Sequence, residues 1–242
     1  MAKKTDRLYE SVSASPVKSF FVTMLTRDIP LADAILDLLD NCVDGILRAK
    51  GRAVESYAGY QAAITFDKTS FMIHDNCGGI PWSLRDYAFR LGAPANQPKK
   101  DLPMVGVYGI GMKRAIFKMG EQCLISTRNG TDNYEVEITP AWVKDEDDWD
   151  LPVRAATETM KEPGTTIVIG QLHEGIKKTF GEGGDAAFHA ELYRRVSELY
   201  AFIITKGFKV TLNGTVVGPR PAKLGVQGGV RNPKAYGGIV PL

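Results

Sequence analysis

Disulfide frameworks and zinc sites need cysteine and histidine, and this 242-residue chain has only three of each. Cys42, Cys77 and Cys123 are odd in number and widely spaced, which argues against a disulfide scaffold and for reduced thiols. Neither the cysteines nor the histidines follow the spacing of metal ligands. The pattern favours a protein of a reducing, cytoplasmic compartment.

Long apolar runs are also absent. No stretch is long enough to cross a bilayer, so we expect no membrane partner. The start Met-Ala-Lys-Lys lacks the apolar segment of a signal peptide, and no internal repeat is visible. With 44% hydrophobic and 24% charged residues, the chain can bury a substantial core in one domain.

Residues 30–50 carry apolar side chains at helical spacing, which predicts an amphipathic helix. Asp33, Asp37, Asn41 and Asp44 share another face of that helix, and such an acidic stripe is usually just solvated. Two features count against that interpretation: no Lys or Arg is interleaved, and asparagine is a mediocre helix former. An amide oxygen can ligate Mg²⁺ and a carboxylate can orient or deprotonate water, so the stripe favours a magnesium-nucleotide site.

A predicted β-hairpin over residues 62–74 leads directly into Asp75. The run Asp-Asn-Cys-Gly-Gly that starts there is also an ordinary turn sequence. In the functional interpretation, the Asp75 carboxylate at the strand end accepts a hydrogen bond from an exocyclic amine. Gly78 and Gly79 then leave room for a flat ring, since neither has a Cβ. A base without the amine would leave the carboxylate unpaired, which gives discrimination.

Gly106, Gly109 and Gly111 precede a predicted helix over residues 112–119. Their spacing is not the dinucleotide fingerprint, in which the close pair of glycines comes first. It is not a Walker loop either, because the lysine does not directly follow Gly111. The segment does offer backbone N–H groups and the positive end of a helix dipole to an anion.

Lys113 and Arg114 fall in the first turn of that helix, where a cation opposes the helix dipole. They could lie on the outer face of the helix. A phosphate group explains their position better.

In this order, and followed by Gly-Thr-Thr at residues 164–166, these segments resemble the GHKL (Bergerat-fold) ATPases. That family includes DNA gyrase B, MutL proteins, heat-shock 90-type chaperones, sensor histidine kinases and MORC proteins. The resemblance covers residues 16–217. Residues 37–44 are most similar to the E-L-L-D-N-A-x-D form of the MORC and topoisomerase branches, and residues 106–113 to G-x-Y-G-x-G-x-K.

The resemblance implies that the chain binds ATP with Mg²⁺. By it, Asp37 is the catalytic base, Asn41 ligates Mg²⁺, and Asp75 reads adenine. Thr165 supports the contact between Asp75 and adenine through water. The other nucleotide-binding residues line the base pocket or form the phosphate loop: Gly79, Ile80, Gly106, Tyr108, Gly109, Ile110, Gly111, Met112 and Lys113.

The chain departs from the family pattern at two places. The usual base is Glu, and Asp37 would hold its carboxylate about 1.5 Å further from the phosphate, a displacement that can cost ~100-fold. Hydrolysis is then slow, runs through an extra water, or has been given up. Residues 77–79 read Cys-Gly-Gly where the family pattern D-x-G-x-G has its first glycine at position 77, as if the permissive position had shifted by one.

After a predicted short helix over residues 82–91, residues 92–103 break all periodicity. A loop this long is usually functional or mobile. It stands where the family has its ATP lid, which closes over the nucleotide and couples binding to dimerisation; a disordered connector is the alternative. Lys99 and Lys100 are expected to move toward phosphate when the lid closes.

The expected fold class is α/β (α+β), a two-layer sandwich in which helices cover one face of a mixed, mainly antiparallel sheet. The acidic run 145–150 is expected to be a surface loop. A single long helix over residues 185–206 is predicted to turn Leu199 and Tyr200 inward with its other apolar residues. Further strands are predicted over residues 122–127, 133–139 and 165–172, and a closing hairpin over 208–217.

The expected organisation is a flexible arm (1–15), the ATP-binding domain (16–217) and a basic Gly/Pro-rich tail or linker (218–242). After Lys206 the chain has no Asp or Glu, so the tail could contact nucleic acid, although such tails are usually linkers. In the family such arms often cross to the partner protomer, and an effector region follows the domain. We therefore expect a nucleotide-dependent homodimer, and either a module of a longer protein or a separate effector polypeptide.

The function expected from these features is a slow, Mg-dependent ATPase module that acts as a nucleotide-driven dimerisation switch. Its MORC-like motifs suggest a DNA-related or antiviral-defence protein, by analogy of fold only. The alternative is a nucleotide sensor that binds ATP without hydrolysis. A histidine protein kinase is disfavoured, because no dimerisation helix with a phospho-acceptor histidine precedes the domain.

Overall fold

The computed structural model describes residues 17–51, 53–91, 109–181 and 186–221. The expected N-terminal arm, the expected lid with Lys99 and Lys100, and residues 222–242 of the expected tail lie outside the described residues. Across the described ranges, no helix combines the length and the apolar character needed to cross a membrane.

Eight strands of the described chain form one mixed sheet. They are β1 (Gln61–Phe66), β2 (Phe71–Asp75), β3 (Gly120–Asn129), β4 (Asp132–Ile138), β5 (Val153–Ala155), β6 (Gly164–Leu172), β7 (Lys209–Leu212) and β8 (Thr215–Val216). Their order across the sheet is β5-β4-β3-β6-β2-β1-β7-β8. Neighbouring strands run antiparallel except β1 and β7, which are parallel.

The helices form the second layer. They are α1 (Lys18–Thr26), α2 (Leu31–Lys50), α3 (Arg85–Phe89), α4 (Gly111–Met119), α5 (Pro140–Lys144), α6 (Glu174–Phe180), α7 (Ala186–Leu199) and α8 (Ala201–Thr205). A 3₁₀ turn at Trp82–Leu84 precedes α3, so the predicted helix over residues 82–91 is shorter and split. The helices predicted over residues 30–50 and 112–119 are confirmed as α2 and α4.

One face of the sheet carries the hydrophobic core. Buried residues alternate along β1 and β2, as expected for strands covered on one side. Ile64 and Ile73 on this face belong to the same core cluster as Leu39 of α2 and Ile116 of α4. The predicted two-layer sandwich with a mainly antiparallel sheet is therefore confirmed.

The prediction of one long helix with Leu199 facing inward is wrong. The chain leaves helical geometry at Tyr200, with φ −102° and ψ 11°, which separates α7 from α8. The Tyr200 hydroxyl donates to the Leu36 carbonyl oxygen at 3.1 Å and to Asp40 Oδ1 at 2.5 Å. Because these bonds hold Tyr200 inside, its neighbour Leu199 turns outward and is 65% exposed.

The acidic run at residues 145–150 also does more than lie on the surface. Glu146 accepts from the backbone N–H of Lys18 at the first turn of α1. The fully buried Lys18 ammonium donates to the Trp142 carbonyl oxygen at 2.7 Å and lies 3.9 Å from the centre of that indole ring. Since a buried ammonium needs such partners, these contacts fix α1 against α5.

Candidate functional site

A row of polar side chains crosses three central strands. Asp75 of β2 pairs with Thr165 of β6, and Thr165 pairs with Thr127 of β3. Directly paired residues share a sheet face, so the three side chains lie side by side. The row next to it is apolar, formed by Ile73, Ile167 and Ile125. The polar row therefore lies at the end of the hydrophobic core, beneath the helical layer.

A cavity of about 310 Å³ lies above this row, between α2, the turn after β2, α3 and the start of α4. Its volume is at the lower end of the range for small-molecule sites. Every sequence-predicted site residue that the structure describes lines it: Asp37, Asn41, Asp75, Gly79, Ile80, Gly109, Ile110, Gly111, Met112, Lys113 and Thr165. The predicted residues Gly106 and Tyr108 lie outside the described residues.

Asp75 is the buried acid of the polar row, and its carboxyl forms part of the cavity wall. Burial raises the pKa of Asp75 above its ordinary value of 3.8, while hydrogen bonds from the Cys77 N–H and the Cys42 thiol act in the opposite direction. The Cys77 N–H donates to Asp75 Oδ1 at 2.7 Å. A carboxylate held in this way can accept a hydrogen bond from an amine in the cavity.

The turn after Asp75 is fixed by hydrogen bonds that it exchanges with β3. Asn129 Nδ2 donates to the Gly78 carbonyl oxygen at 2.6 Å, and the Ile80 N–H donates to Thr127 Oγ1 at 2.8 Å. Gly79 has φ 69°, and a Cβ there would lie 2.0 Å from the Arg128 carbonyl oxygen. Only glycine fits this position, because backbone of the neighbouring strands fills the place that a Cβ would take, and the turn lies tightly against the sheet.

Thr127 organises the polar row but was not predicted from the sequence. Its fully buried hydroxyl accepts from the Ile80 N–H and donates to the Gly164 carbonyl oxygen at 3.1 Å. It also lies 3.2 Å from Thr165 Oγ1. Threonine is common in strands for its branched side chain alone, so nothing in the sequence marks this one.

Arg48 is a second residue that was missed, although a pattern could have found it. It lies one turn beyond Asp44 on the cavity side of α2, and both residues line the cavity. Arg48 Nη2 donates to the Gly79 carbonyl oxygen at 3.3 Å, and burial lowers the pKa of Arg48. The helical spacing of Asp37, Asn41, Asp44 and Arg48 extends the predicted stripe by one residue.

Asn41 lies on the exposed side of the cavity. Its Nδ2 donates to the Asp37 carbonyl oxygen at 2.9 Å, so the amide oxygen is the atom presented to a ligand. Within the described ranges, no group of three or more His, Cys, Asp or Glu side chains could hold a metal. A Mg²⁺ ion bound with a nucleotide takes most of its ligands from phosphate and water, so one amide oxygen fits that donor set.

Asp37 lies against the start of α4. A Cβ built on Gly111 would be 3.4 Å from the Asp37 carboxylate, and Arg114 Nη2 donates to Asp37 Oδ2 at 2.6 Å. The carboxylate is therefore beside the helix N-terminus at which an anion would bind.

The Lys113 side chain is more deeply buried than expected for a residue that contacts phosphate at the surface. Its side chain is buried, and Nζ donates to the Ala88 carbonyl oxygen of α3 at 2.7 Å. Burial lowers the pKa of Lys113 from 10.5 to about 8. The residue also lines a second cavity with Phe89 and Phe117, so it forms part of the wall between the two.

The acidic side chains of α2 are paired with distant parts of the chain. Asp33 forms an ion pair with Arg195 of α7, as Asp37 does with Arg114 of α4. Burial raises the pKa of Asp40, whose carboxylate accepts from Tyr200. Asp33 and Asp37 of the stripe are therefore held in ion pairs with other helices, and these partners could not be seen from local sequence spacing.

A comparison with protein families finds a match. The model of the family described as "Histidine kinase-, DNA gyrase B-, and HSP90-like ATPase" matches residues 29–166, more than half of the chain. The matched segment runs from the residue before Pro30 into β6, so it includes both the acidic stripe and Thr165. No curated protein sequence matches the chain.

Proposed function

The chain belongs to the family of histidine kinase-, DNA gyrase B- and HSP90-like ATPases, and on that premise we propose that it binds Mg-ATP in the cavity between α2 and α4. One observation carries the proposal: the acidic helix, the turn after β2 and the start of α4 line a single cavity. These segments are far apart in the chain, and each supplies a different part of a nucleotide site.

The base is proposed to lie over the polar row of the sheet. The Asp75 carboxylate accepts a hydrogen bond from the exocyclic amine of adenine, and Thr165 supports that contact through a water. Gly79 and Ile80 line the ring, and the missing Cβ of Gly79 lets the turn lie against the Arg128 carbonyl at the edge of the cavity. Guanine carries an oxygen where adenine carries this amine, so we expect the site to reject GTP.

The phosphates are proposed to lie between Asn41 and the N-terminus of α4. Gly109, Ile110, Gly111 and Met112 line the cavity at that terminus, and the free backbone N–H groups of a helix start suit an anion. The Asn41 amide oxygen would hold Mg²⁺ together with phosphate oxygens. When bound, the ion neutralises phosphate charge and orients the terminal group. Gly106, Tyr108 and Lys113 are the further phosphate contacts proposed, and Lys113 must give up its bond to the Ala88 carbonyl oxygen to reach a phosphate.

Hydrolysis is proposed to use Asp37 as the base. Asp37 accepts a proton from a water whose oxygen attacks the terminal phosphorus, and the bond to the bridging oxygen breaks to give ADP and phosphate. Asp is shorter than the usual Glu, so the chemical step is expected to be slow. The ion pair of Asp37 with Arg114 favours the alternative of a sensor that binds ATP without hydrolysis, because it engages the carboxylate.

We further propose that nucleotide binding drives homodimerisation, with hydrolysis reversing it, and that the switch acts in a DNA-related or antiviral-defence system. This context rests on the MORC-like form of two motifs and on analogy of fold. The three free, buried cysteines support a reducing compartment. Size-exclusion chromatography with light scattering, with and without a non-hydrolysable ATP analogue, tests the dimer.

Calorimetry with Mg²⁺ and a non-hydrolysable ATP analogue tests the site itself. We expect wild-type protein to bind the ATP analogue and not the matching GTP analogue, and Asp75→Asn to lose this binding. Absence of ATP binding by folded wild-type protein would refute the proposal.

A single-turnover assay separates the ATPase from the sensor. Asp37→Ala is compared with Asp33→Ala, which removes a second paired acid of α2 that does not line the cavity. The ATPase proposal expects a rate loss for Asp37→Ala alone. A measurable wild-type rate that Asp37→Ala leaves unchanged means that Asp37 is not the base, and no wild-type turnover supports the sensor.

A further inference from the structure

Arg114 connects the proposed base to the start of α4. It lies in the first turn of that helix and lines the nucleotide cavity beside Asp37. Its Nη2 donates to Asp37 Oδ2 at 2.6 Å, and both side chains are about one-quarter to one-third exposed. The contact is therefore a partly buried ion pair at the end of the cavity proposed for phosphate.

The same guanidinium carries a buried donor that is not used. Arg114 Nε is buried and has no hydrogen-bond partner among the described residues. An unpaired buried N–H is costly, and native structures rarely leave one without a reason. A planar guanidinium can hold one anion through Nη2 and offer its other N–H groups to a second anion.

A terminal phosphate in this cavity meets an electrostatic problem. The Asp37 carboxylate would lie close to phosphate oxygens of the same charge, and repulsion between them would weaken ATP binding. A cation that touches both groups removes the repulsion and fixes the distance between them. Arg114 is placed to do this, because it already holds the carboxylate.

We propose that Arg114 is a positioning residue that bridges Asp37 and the terminal phosphate of the bound nucleotide. Nη2 stays on the Asp37 carboxylate, and Nε, which is closed off in this structure, becomes uncovered as the nucleotide binds and donates to a phosphate oxygen. The inference rests on the proposed function of the same cavity. It adds a way for the site to distinguish ATP from ADP, because ADP lacks the terminal phosphate that Arg114 contacts. It holds for a hydrolysing enzyme and for a non-hydrolysing sensor alike.

The chain offers a matched control in the neighbouring ion pair. Arg195 of α7 pairs with Asp33, one turn before Asp37 on α2, and the two side chains are 24% and 38% exposed. Neither lines the nucleotide cavity. Arg195→Ala therefore removes a similar ion pair from the same helix without touching the phosphate end.

The test measures dissociation constants for ADP and for a non-hydrolysable ATP analogue, both with Mg²⁺, by calorimetry. In wild-type protein we expect tighter binding of the ATP analogue. Arg114→Ala should lower the ratio of the ADP dissociation constant to that of the ATP analogue about tenfold, as the loss of one charge-assisted hydrogen bond predicts. Arg195→Ala should leave this ratio unchanged. Thermal unfolding of both variants shows that they are folded.

Arg114→Lys provides a second variant if Arg114→Ala does not fold. Its ammonium can pair with Asp37 but lacks the fork that reaches two anions, so we expect the fold to be kept and most of the ATP preference to be lost.

Three results would overturn the inference. They are no ATP preference in wild-type protein, a ratio in folded Arg114→Ala or Arg114→Lys within about twofold of wild type, or an equal fall in Arg195→Ala. Wild-type protein that binds neither nucleotide refutes the proposed function as well. Wild-type protein that binds ATP while the Arg114 variants keep the preference refutes this inference alone.

Discussion

Gly45 of α2 and the carbonyl oxygen of Cys77 are so close that a Cβ on Gly45 would lie 2.3 Å from that oxygen. The turn that follows Asp75 thus lies directly on the helix that carries Asp37 and Asn41. We expect Gly45→Ala to destabilise the protein by about 1–3 kcal/mol, because backbone on one side or the other must move. Thermal or urea unfolding measures the loss, and ATP affinity should fall with it.

Gly175 gives the matched control for this substitution. It is also a helical glycine, in α6, and a Cβ there meets nothing within 4 Å. Gly175→Ala should stabilise the protein by about 0.5 kcal/mol, the ordinary gain for alanine in a helix. Equal gains in both variants would show that the approach of Cys77 to Gly45 is not restrictive.

Asp75 predicts a pH dependence of stability with a defined sign. Burial raises its pKa above 3.8 in the folded state, so the carboxyl contributes stability below that value and loses it as pH rises through the folded pKa. Ionised Asp75 is therefore a cost at neutral pH. The melting temperature of Asp75→Asn relative to wild type should rise as pH increases above 3.8, while ATP binding is lost.

Asp67 is the control with the opposite sign. It lies in the exposed turn between β1 and β2, and hydrogen bonds from Thr69 lower its pKa. The ionised Asp67 carboxylate contributes to folding stability above pH 3.8, and this contribution is lost as pH falls through the folded pKa. The melting temperature of Asp67→Asn relative to wild type should therefore fall toward neutral pH. The same trend in both variants would contradict the raised pKa of Asp75.

Lys113 predicts a second pH effect, at the alkaline side. Burial lowers its pKa from 10.5 to about 8, so above pH 8 the unfolded chain holds a proton that the folded protein has released. The free energy of unfolding of wild type relative to Lys113→Met should rise between about pH 8 and pH 10.5, by roughly 3 kcal/mol in total. This gain in stability should be lost as pH falls back through about 8. Urea unfolding at a series of alkaline pH values measures the trend.

Lys118→Met provides the reference for this series. Lys118 lies on the same helix, and its ammonium donates to the Thr26 carbonyl oxygen at 3.1 Å, but the side chain is only half-buried. The Lys118→Met variant corrects for the general effect of alkaline pH on stability and for the loss of one lysine. A flat difference between wild type and Lys113→Met would show that the Lys113 ammonium is not strongly desolvated.

Local periodicity was enough to predict the elements that carry the site. The apolar spacing of α2, the hairpin β1–β2 and the helix α4 all depend on neighbours within a few residues, and all three were found. Tyr200 shows what such local patterns cannot predict. Leu199 and Tyr200 both fit an inward-facing stripe, and hydrogen bonds to the distant α2 decided which one is buried.

The electrostatic partners of the site were out of reach of sequence reasoning for the same reason. Arg114 and Arg195 meet their aspartates only because α4 and α7 lie beside α2. Thr127 becomes important through the register of β3 on β6, which fixes which residues share a row. The residue spacing along α2 could have identified Arg48 as a member of the stripe. The same spacing could not have predicted contacts between different helices and strands.

Lengthening the proposed base tests whether its short side chain limits hydrolysis. Asp37→Glu carries the carboxylate about 1.5 Å further, toward the proposed phosphate site, and should raise the single-turnover rate about ten- to one-hundredfold. Asp37→Asn, which keeps the size but not the basicity, should abolish turnover. The extra methylene must fit beside Gly111, and the new carboxylate must keep its pair with Arg114. A folded Asp37→Glu protein that binds ATP but turns over no faster than wild type would place the limit elsewhere, in a conformational step or in the engagement of the carboxylate by Arg114.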